Sequence, residues 1–307
     1  MDPISHALMG LFIGIAMAGL LKFKELKWPA IAGVLAGVMP DVDILSTLMG
    51  SAAFFKYHRV MTHSFIALFI FALIIALVFS RFKFQKKDFF KSDFSKYYAL
   101  AFVSLVGHIF LDIVTSQGVE FLYPFSTQLI SWSFMPLVDI FFLLIFVAGL
   151  VVMEVLPAKK VKVSVVALIF ITVLFATKFT LYQYAENKVY GLDGYQGASL
   201  IPHNFDPFEW RVVVEDTNSY FVADYELFDG ISERLEFVKH FDNLVEASTN
   251  SELVDKFISV SRFPFAVVND HSVFWYDLRV SDDGGLGYTA MVVLDENLNI
   301  IEERLGI

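Results

Sequence analysis

Apolar runs close to the thickness of a bilayer recur through the first 185 residues, and nothing else restricts the fold of this chain so strongly. A helix needs about 20 apolar residues to cross the hydrocarbon core. Stretches at 4–21, 28–49, 64–81, 97–115, 134–156 and 163–184 approach or reach that length. They predict a membrane all-α bundle of about six transmembrane helices. The second run holds Pro40, Asp41 and Asp43 near its end and reads as a span whose last turn opens. Composition agrees: 56% of residues are hydrophobic, 18% are charged and the mean hydropathy is +0.61. A soluble domain carries about 25% charged residues.

Charge divides the chain. From Glu186 to Ile307 there are 8 basic and 23 acidic residues, which leaves 15 basic and 10 acidic before it. The acidic part reads as soluble, and nucleic acid is a poor partner for it because phosphate contacts need Lys and Arg. "WRVVVED", "YFVADYELF", "FAVVNDHSVFWYDLRVS" and "YTAMVVLDENLNIIEERL" are rich in β-branched and aromatic residues, with turn signals such as Asp283-Gly284-Gly285. The expected organisation is a transmembrane domain over 1–185 and a small, soluble, β-rich (α+β) domain over 186–307, with a helix near 231–260. The absence of cysteine excludes disulfides, Cys-based zinc sites and a Cys nucleophile. No basic n-region precedes the first apolar run, so it does not read as a cleavable signal.

Basic residues follow the first, third and fifth runs: Lys22, Lys24 and Lys27; Arg81, Lys83, Lys86, Lys87, Lys91 and Lys96; Lys159, Lys160 and Lys162. The loop 116–133 has neither Lys nor Arg. The positive-inside rule then places the protein in the cell membrane with the N-terminus and the acidic domain extracytoplasmic.

That topology gathers the ionisable residues. His6 begins span one, Asp41 and Asp43 end span two, His58 and His63 precede span three, and His108 and Asp112 lie near the end of span four. All seven map to the outer face. Ionisable groups in a membrane are costly and usually functional. His108 and Asp112 are four apart and share a helix face. Imidazoles suit zinc, and carboxylates also admit manganese or magnesium. Four His and three Asp exceed one four-coordinate site, so two or three ions per chain are expected. Such ions lower the pKa of bound water and clamp a phosphoester. Asp41 or Asp43 would bridge ions or act as base, and Arg59 would hold an anionic group or snorkel at the interface. Thr62 and Ser64 read as caps of span three. Asp139 reads as a further ligand, a partner to a ligand, or a cap. Glu120 reads as a surface residue, and nothing near His203, His240 or His271 has ligand spacing.

"ISHALMG", "MPDVDIL", "HRVMTHSF" and "GHIFLDIVTSQGVEFLYPFS" resemble the ordered signatures of the YdjM-like family of inner-membrane proteins, described as metal-dependent hydrolases. The resemblance covers about 1–185, and "DPFEW" with "FWYDLR" resembles the longer YfhP-like branch with its C-terminal domain. It implies a helical membrane domain with ligands at His6, Asp41, Asp43, His58, His63, His108 and Asp112. The His-x-x-x-Asp pattern is also similar to that of zinc-dependent phospholipase C and the trinuclear-zinc nucleases, which cleave phosphodiesters. The expected function is a membrane-embedded metal-dependent hydrolase. It would cleave a phosphoester of a lipid or amphiphilic substrate with a metal-activated water at the extracytoplasmic face. The alternatives are a transporter, against which no ionisable ladder crosses the bilayer, and a regulatory or scaffold protein whose metal holds helices together.

Overall fold

The computed structural model describes residues 1–82, 93–279 and 289–306. Lys83, Lys86, Lys87 and Lys91 and the Asp283-Gly284-Gly285 turn lie outside the described residues. The chain divides into two compact units. One comprises Met1–Asp43 and Arg59–Leu181; the other comprises Ile44–His58 and Tyr182–Ile307.

The first unit is helical. Its elements are α1 (Pro3–Leu20), α2 (Lys27–Val38), α4 (Phe65–Phe82), α5 (Phe94–Ile113), α6 (Ile140–Val155) and most of α7 (Lys160–Tyr190). Helix α1 starts where Asp2 accepts the Ser5 N–H, with Pro3 in the first turn. Helices α1 and α2 touch backbone to backbone. A Cβ on Gly10 would run into the Gly33 carbonyl oxygen, and one on Gly37 into the His6 carbonyl. Glycine at these positions is therefore a packing requirement, as in other close membrane helix pairs. Ala32 and Ala36 of α2 continue into a buried cluster with Leu68, Ala72 and Phe79 of α4 and Tyr97, Leu100 and Leu105 of α5. Phe12 of α1 meets Phe146 of α6 at 4.5 Å between ring centroids.

Six crossing helices are not reached among the described residues. The helices Pro3–Leu20, Phe94–Ile113 and Pro157–Tyr190 are long and apolar enough to cross a membrane, and the number rises to five if each of two bent pairs is one span. The run at 28–49 breaks after Val38, and Pro40–Met49 continues as a 3-10 helix at 49° to α2. Proline cannot donate to the turn before it, which accounts for the break. The helix Phe65–Ser80 meets the preceding segment at 73°. The run at 134–156 yields only the 16 residues of α6, because Asp139 caps that helix by accepting the Phe142 N–H at 2.9 Å. At 1.5 Å per residue α6 is about 24 Å long, short of the roughly 30 Å hydrocarbon core.

Asp139 also pairs at 2.9 Å with Lys178 of α7, and both side chains are buried. Its role is thus that of a cap and an ion-pair partner. The loop 114–139 is held by short bridges, Thr115 to Met135 and Val119 to Ile130.

The second unit contains two antiparallel sheets. The first has the order β1 (Ser199–Pro202), β2 (Glu209–Glu215), β3 (Ser219–Glu226), β4 (Gly230–Ile231), with β5 (Leu235–Val238) also on β3. The second runs β6 (Pro264–Asn269), β7 (Ser272–Asp277), β8 (Thr289–Leu294), β9 (Ile300–Gly306). The helix expected near 231–260 is two shorter ones, α8 (Asn243–Ser248) and α9 (Glu252–Val260), preceded by strand. Asp242 and Ser251 cap them through the N–H groups of Val245 and Val254. The helix α3 (Ser51–Tyr57) belongs to this unit as well, and Ala52 and Phe55 pack on the core formed by Leu253, Val254, Phe257 and Val292.

The close approach of α1 and α2 gives a test. Gly33→Ala forces the backbones apart and is expected to destabilise by about 1–3 kcal/mol, read as a lower thermal midpoint in detergent. Leu35→Ala, on the exposed side of the same helix, leaves the midpoint in place. Equal midpoints for the two variants would contradict this account of the contact.

Candidate metal centre

Four side chains converge where helices of the first unit end. His108 and Asp112 lie one turn apart near the C-terminus of α5, and both are buried. Asp41 sits in the 3-10 segment behind Pro40. His63 closes the short 3-10 turn Met61–His63 before α4 and has no exposed surface. One ligand atom from each of these four residues lies within 4.8 Å of the others. His63 Nε2 is 3.2 Å from His108 Nε2, 3.4 Å from Asp112 Oδ2 and 3.5 Å from Asp41 Oδ1. His108 Nε2 is 3.3 Å from Asp112 Oδ2 and 3.7 Å from Asp41 Oδ1.

The far side of each imidazole fixes what faces inward. His108 Nδ1 lies 2.6 Å from the Gly37 carbonyl oxygen. A carbonyl only accepts, so Nδ1 carries the proton and Nε2 presents a lone pair. His63 Nδ1 lies 3.2 Å from Asp43 Oδ2 and 3.0 Å from Thr62 Oγ1. The Thr62 hydroxyl donates to the same Asp43 oxygen at 2.7 Å, so its own oxygen is left to accept from the ring. A carboxylate behind an imidazole is the usual support of a metal ligand. Two imidazole Nε2 atoms and two carboxylate oxygens therefore face one another. Tetrahedral N/O coordination with bonds of about 2.0–2.2 Å needs donors about 3.3–3.6 Å apart. The observed separations of 3.2–3.7 Å fit a divalent cation.

The remaining residues singled out in the sequence take other places. Asp43 stands behind His63, outside the four-donor group. His6 stacks on His108 at 3.8 Å between centroids, with Nε2 3.4 Å from Asp112 Oδ1. It is wholly buried, and neither ring nitrogen has a hydrogen-bond partner among the described residues. His58 belongs to the second unit, its ring stacked on Phe54. Ser64 accepts the Ala67 N–H and caps α4. The Met1 ammonium reaches Asp112 Oδ1, a contact that no spacing of residues foretells.

Arg59 is held with unusual firmness. Its backbone has a positive φ of 61°, a conformation rare outside glycine. Its N–H donates to Asp43 Oδ2 at 2.9 Å, and its carbonyl accepts from the Glu120 N–H at 3.1 Å. The side chain then reaches Asp112 Oδ1 with Nη2 at 3.0 Å. Its Nε and Nη1 are buried and have no partner among the described residues. Buried donors without acceptors are uncommon and costly. The missing acceptor suits an anionic oxygen.

The support of His63 generates a test. Asp43→Asn keeps the shape but weakens the carboxylate behind the ring, and is expected to lower metal affinity about 10–100-fold. Competition with a chromophoric chelator measures it, and an unchanged affinity would contradict the orienting role.

Residues 1–185 match the family described as YdjM inner membrane protein, and residues 243–307 match the YfhP C-terminal alpha/beta plait domain. The protein YfhP of Bacillus subtilis is 24% identical over 325 aligned positions, covering 100% of this chain and 95% of its own. The inner membrane protein YbcI of Escherichia coli is 30% identical over 128 positions, 41% of this chain and 68% of its own. No solved structure matches. With its helical unit matched throughout, the chain belongs to the YdjM family of inner membrane proteins and carries a YfhP-type C-terminal domain.

Proposed function

We propose that this protein is a metal-dependent hydrolase that cleaves a phosphoester of a lipid or amphiphilic substrate at the extracytoplasmic face of the membrane. The observation that carries the reading is the set of four converging donors, Asp41, His63, His108 and Asp112, beside the Arg59 nitrogens that have no partner among the described residues. Zinc is the ion best matched to two imidazoles and two carboxylates, with manganese second. The described geometry gathers one donor set, so the proposal is for one ion there, with His6 as a neighbouring donor, rather than two or three.

A bound divalent ion supplies Lewis acidity and a lowered water pKa. Everything else falls to the chain. Arg59 Nε and Nη1 would donate to the phosphoryl oxygens as a fork, a geometry lysine cannot reproduce. Asp41 is the most exposed of the four donors, 21% by side chain. It is placed to give way to substrate and to take the proton of the attacking water. Asp43 would hold His63 throughout. The orientation rests on Lys22, Lys24 and Lys27 after α1 and Lys159, Lys160 and Lys162 after α6, which favour the cytoplasm.

A second reading has one observation in its favour. Four protein donors around one point is the arrangement of a structural ion, whereas catalytic zinc keeps a position open. A regulatory or scaffold protein stapled by metal would look the same at this site.

Elemental analysis of the detergent-purified protein separates these readings when paired with an assay on phosphoester lipid vesicles. The wild type is expected to hold zinc or manganese, to lose one equivalent in His108→Ala/Asp112→Ala, and to release product only when loaded. Metal without hydrolysis across the lipid panel would leave the scaffold reading, and no loss of metal in the variant would overturn both. If hydrolysis is found, Arg59→Lys is expected to raise KM about tenfold through the loss of a charged hydrogen-bond fork while leaving metal content unchanged. An unchanged KM would exclude Arg59 from substrate binding.

A further inference from the structure

We infer that the first sheet of the C-terminal unit dips one end into the headgroup layer of a zwitterionic lipid bilayer, through Phe205, Phe208 and Phe228. Phe205 is 79% exposed, Phe228 80% and Phe208 41%. Single apolar residues on a surface are ordinary, but a contiguous group marks an interaction site. Strand register makes the group. β1 ends at Pro202, β2 begins at Glu209, and β3 ends at Glu226, which pairs with Glu209. The loop 203–208 and the hairpin turn 227–229 therefore leave the sheet at the same end. The Leu227 N–H donates to the Phe208 carbonyl at 2.9 Å, and the rings of Phe208 and Phe228 lie 5.6 Å apart. Asp206 accepts the Phe208 N–H at 2.8 Å, and Gly230 closes the turn with a φ of 89°. Backbone contacts thus hold the aromatic tip in place.

The course of the chain says what covers it. Helix α7 has 31 residues, about 46 Å at 1.5 Å per residue, whereas a hydrocarbon core takes about 30 Å. Counted from Lys160 and Lys162, which suit an interface, the membrane-crossing part ends near Leu181. Tyr182, Tyr184 and Tyr190 follow, and tyrosine is typical of the membrane–water boundary. The chain then folds back. The Tyr190 hydroxyl donates at 3.1 Å to the carbonyl of Ala198, just before β1. At the far end of β1, Pro202 pairs with Trp210 and Trp210 with Tyr225. Tyr225 lies within electrostatic reach of Tyr184 and Lys188. The sheet therefore runs from beside Tyr190 back towards Tyr184, the side on which the helix emerges from hydrocarbon. Phe228 is three residues beyond Tyr225, up to about 10 Å further along the strand direction. Leu181 is only about 4.5 Å below Tyr184 along the helix, so the tip reaches the boundary. Charge selects the lipid. Asp206, Glu226 and Asp229 stand beside the phenylalanines. They would be repelled by anionic headgroups and would meet the cationic end of zwitterionic ones.

The chain has no cysteine, so one introduced thiol reports on one place. Full-length Phe228→Cys carrying an environment-sensitive fluorophore is reconstituted in phosphatidylcholine nanodiscs that include a lipid with a nitroxide on its headgroup. Asn218→Cys, in the β2–β3 turn at the opposite end of the sheet, is the reference. Quenching is expected to be severalfold stronger for Phe228→Cys than for Asn218→Cys, with emission shifted to the blue. It is expected to fall when phosphatidylglycerol replaces part of the phosphatidylcholine. If Phe228→Cys does not fold, Phe205→Cys gives the same reading. Equal quenching at the two ends of the sheet would overturn the proposal and leave the tip as a surface for a protein partner. Quenching that does not fall with phosphatidylglycerol would overturn the preference for a zwitterionic headgroup.

Discussion

A carboxylate without access to water organises the helical unit. Asp112 has no exposed surface, and a charge so placed is tolerated only if its oxygens are met. One oxygen receives the Met1 ammonium, Arg59 and the edge of His6, while the other faces His63 and His108. These contacts draw in the start of α1, the segment before α4 and the end of α5. The glycine contact of α1 with α2 completes the arrangement, because His108 is oriented by the carbonyl of Gly37. Bare backbone thus serves both close packing and the direction of the His108 ring.

The sequence was most legible where chemistry followed local spacing. His108 and Asp112, four apart on one helix, come within 3.3 Å of each other. The break at Pro40 followed from the missing N–H of proline, and the β-rich character of the C-terminal part followed from its β-branched and aromatic runs. The number of crossings was less legible. Hydropathy counts apolar residues, but Asp139 starts α6 late by capping it, and Lys178, apolar in its surroundings by count, is buried on that same cap.

What the sequence could not reveal was contact made through three-dimensional register or backbone conformation. Asp43 looked like a ligand because it sits two residues from Asp41, but its oxygen is turned to Thr62, His63 and the N–H of Arg59. The left-handed backbone of Arg59 has no signature in a non-glycine residue. The partners of His203 were equally hidden, because Glu209 and Asp224 reach it from other strands as ion-pair partners.

The excursion Ile44–His58 has a consequence for biogenesis. It leaves the helical unit after Asp43 and returns at Arg59, yet α3 within it packs through Phe55 on Phe257 of α9. The ribosome delivers α3 early and α9 near the end of synthesis, and domains otherwise tend to fold as units from the N-terminus onward. The excursion must therefore wait, with Phe55 uncovered, until nearly the whole chain has been made and inserted. Removing the C-terminal part would therefore strip an apolar surface bare in a segment that the chain flanks with Asp43 and Arg59.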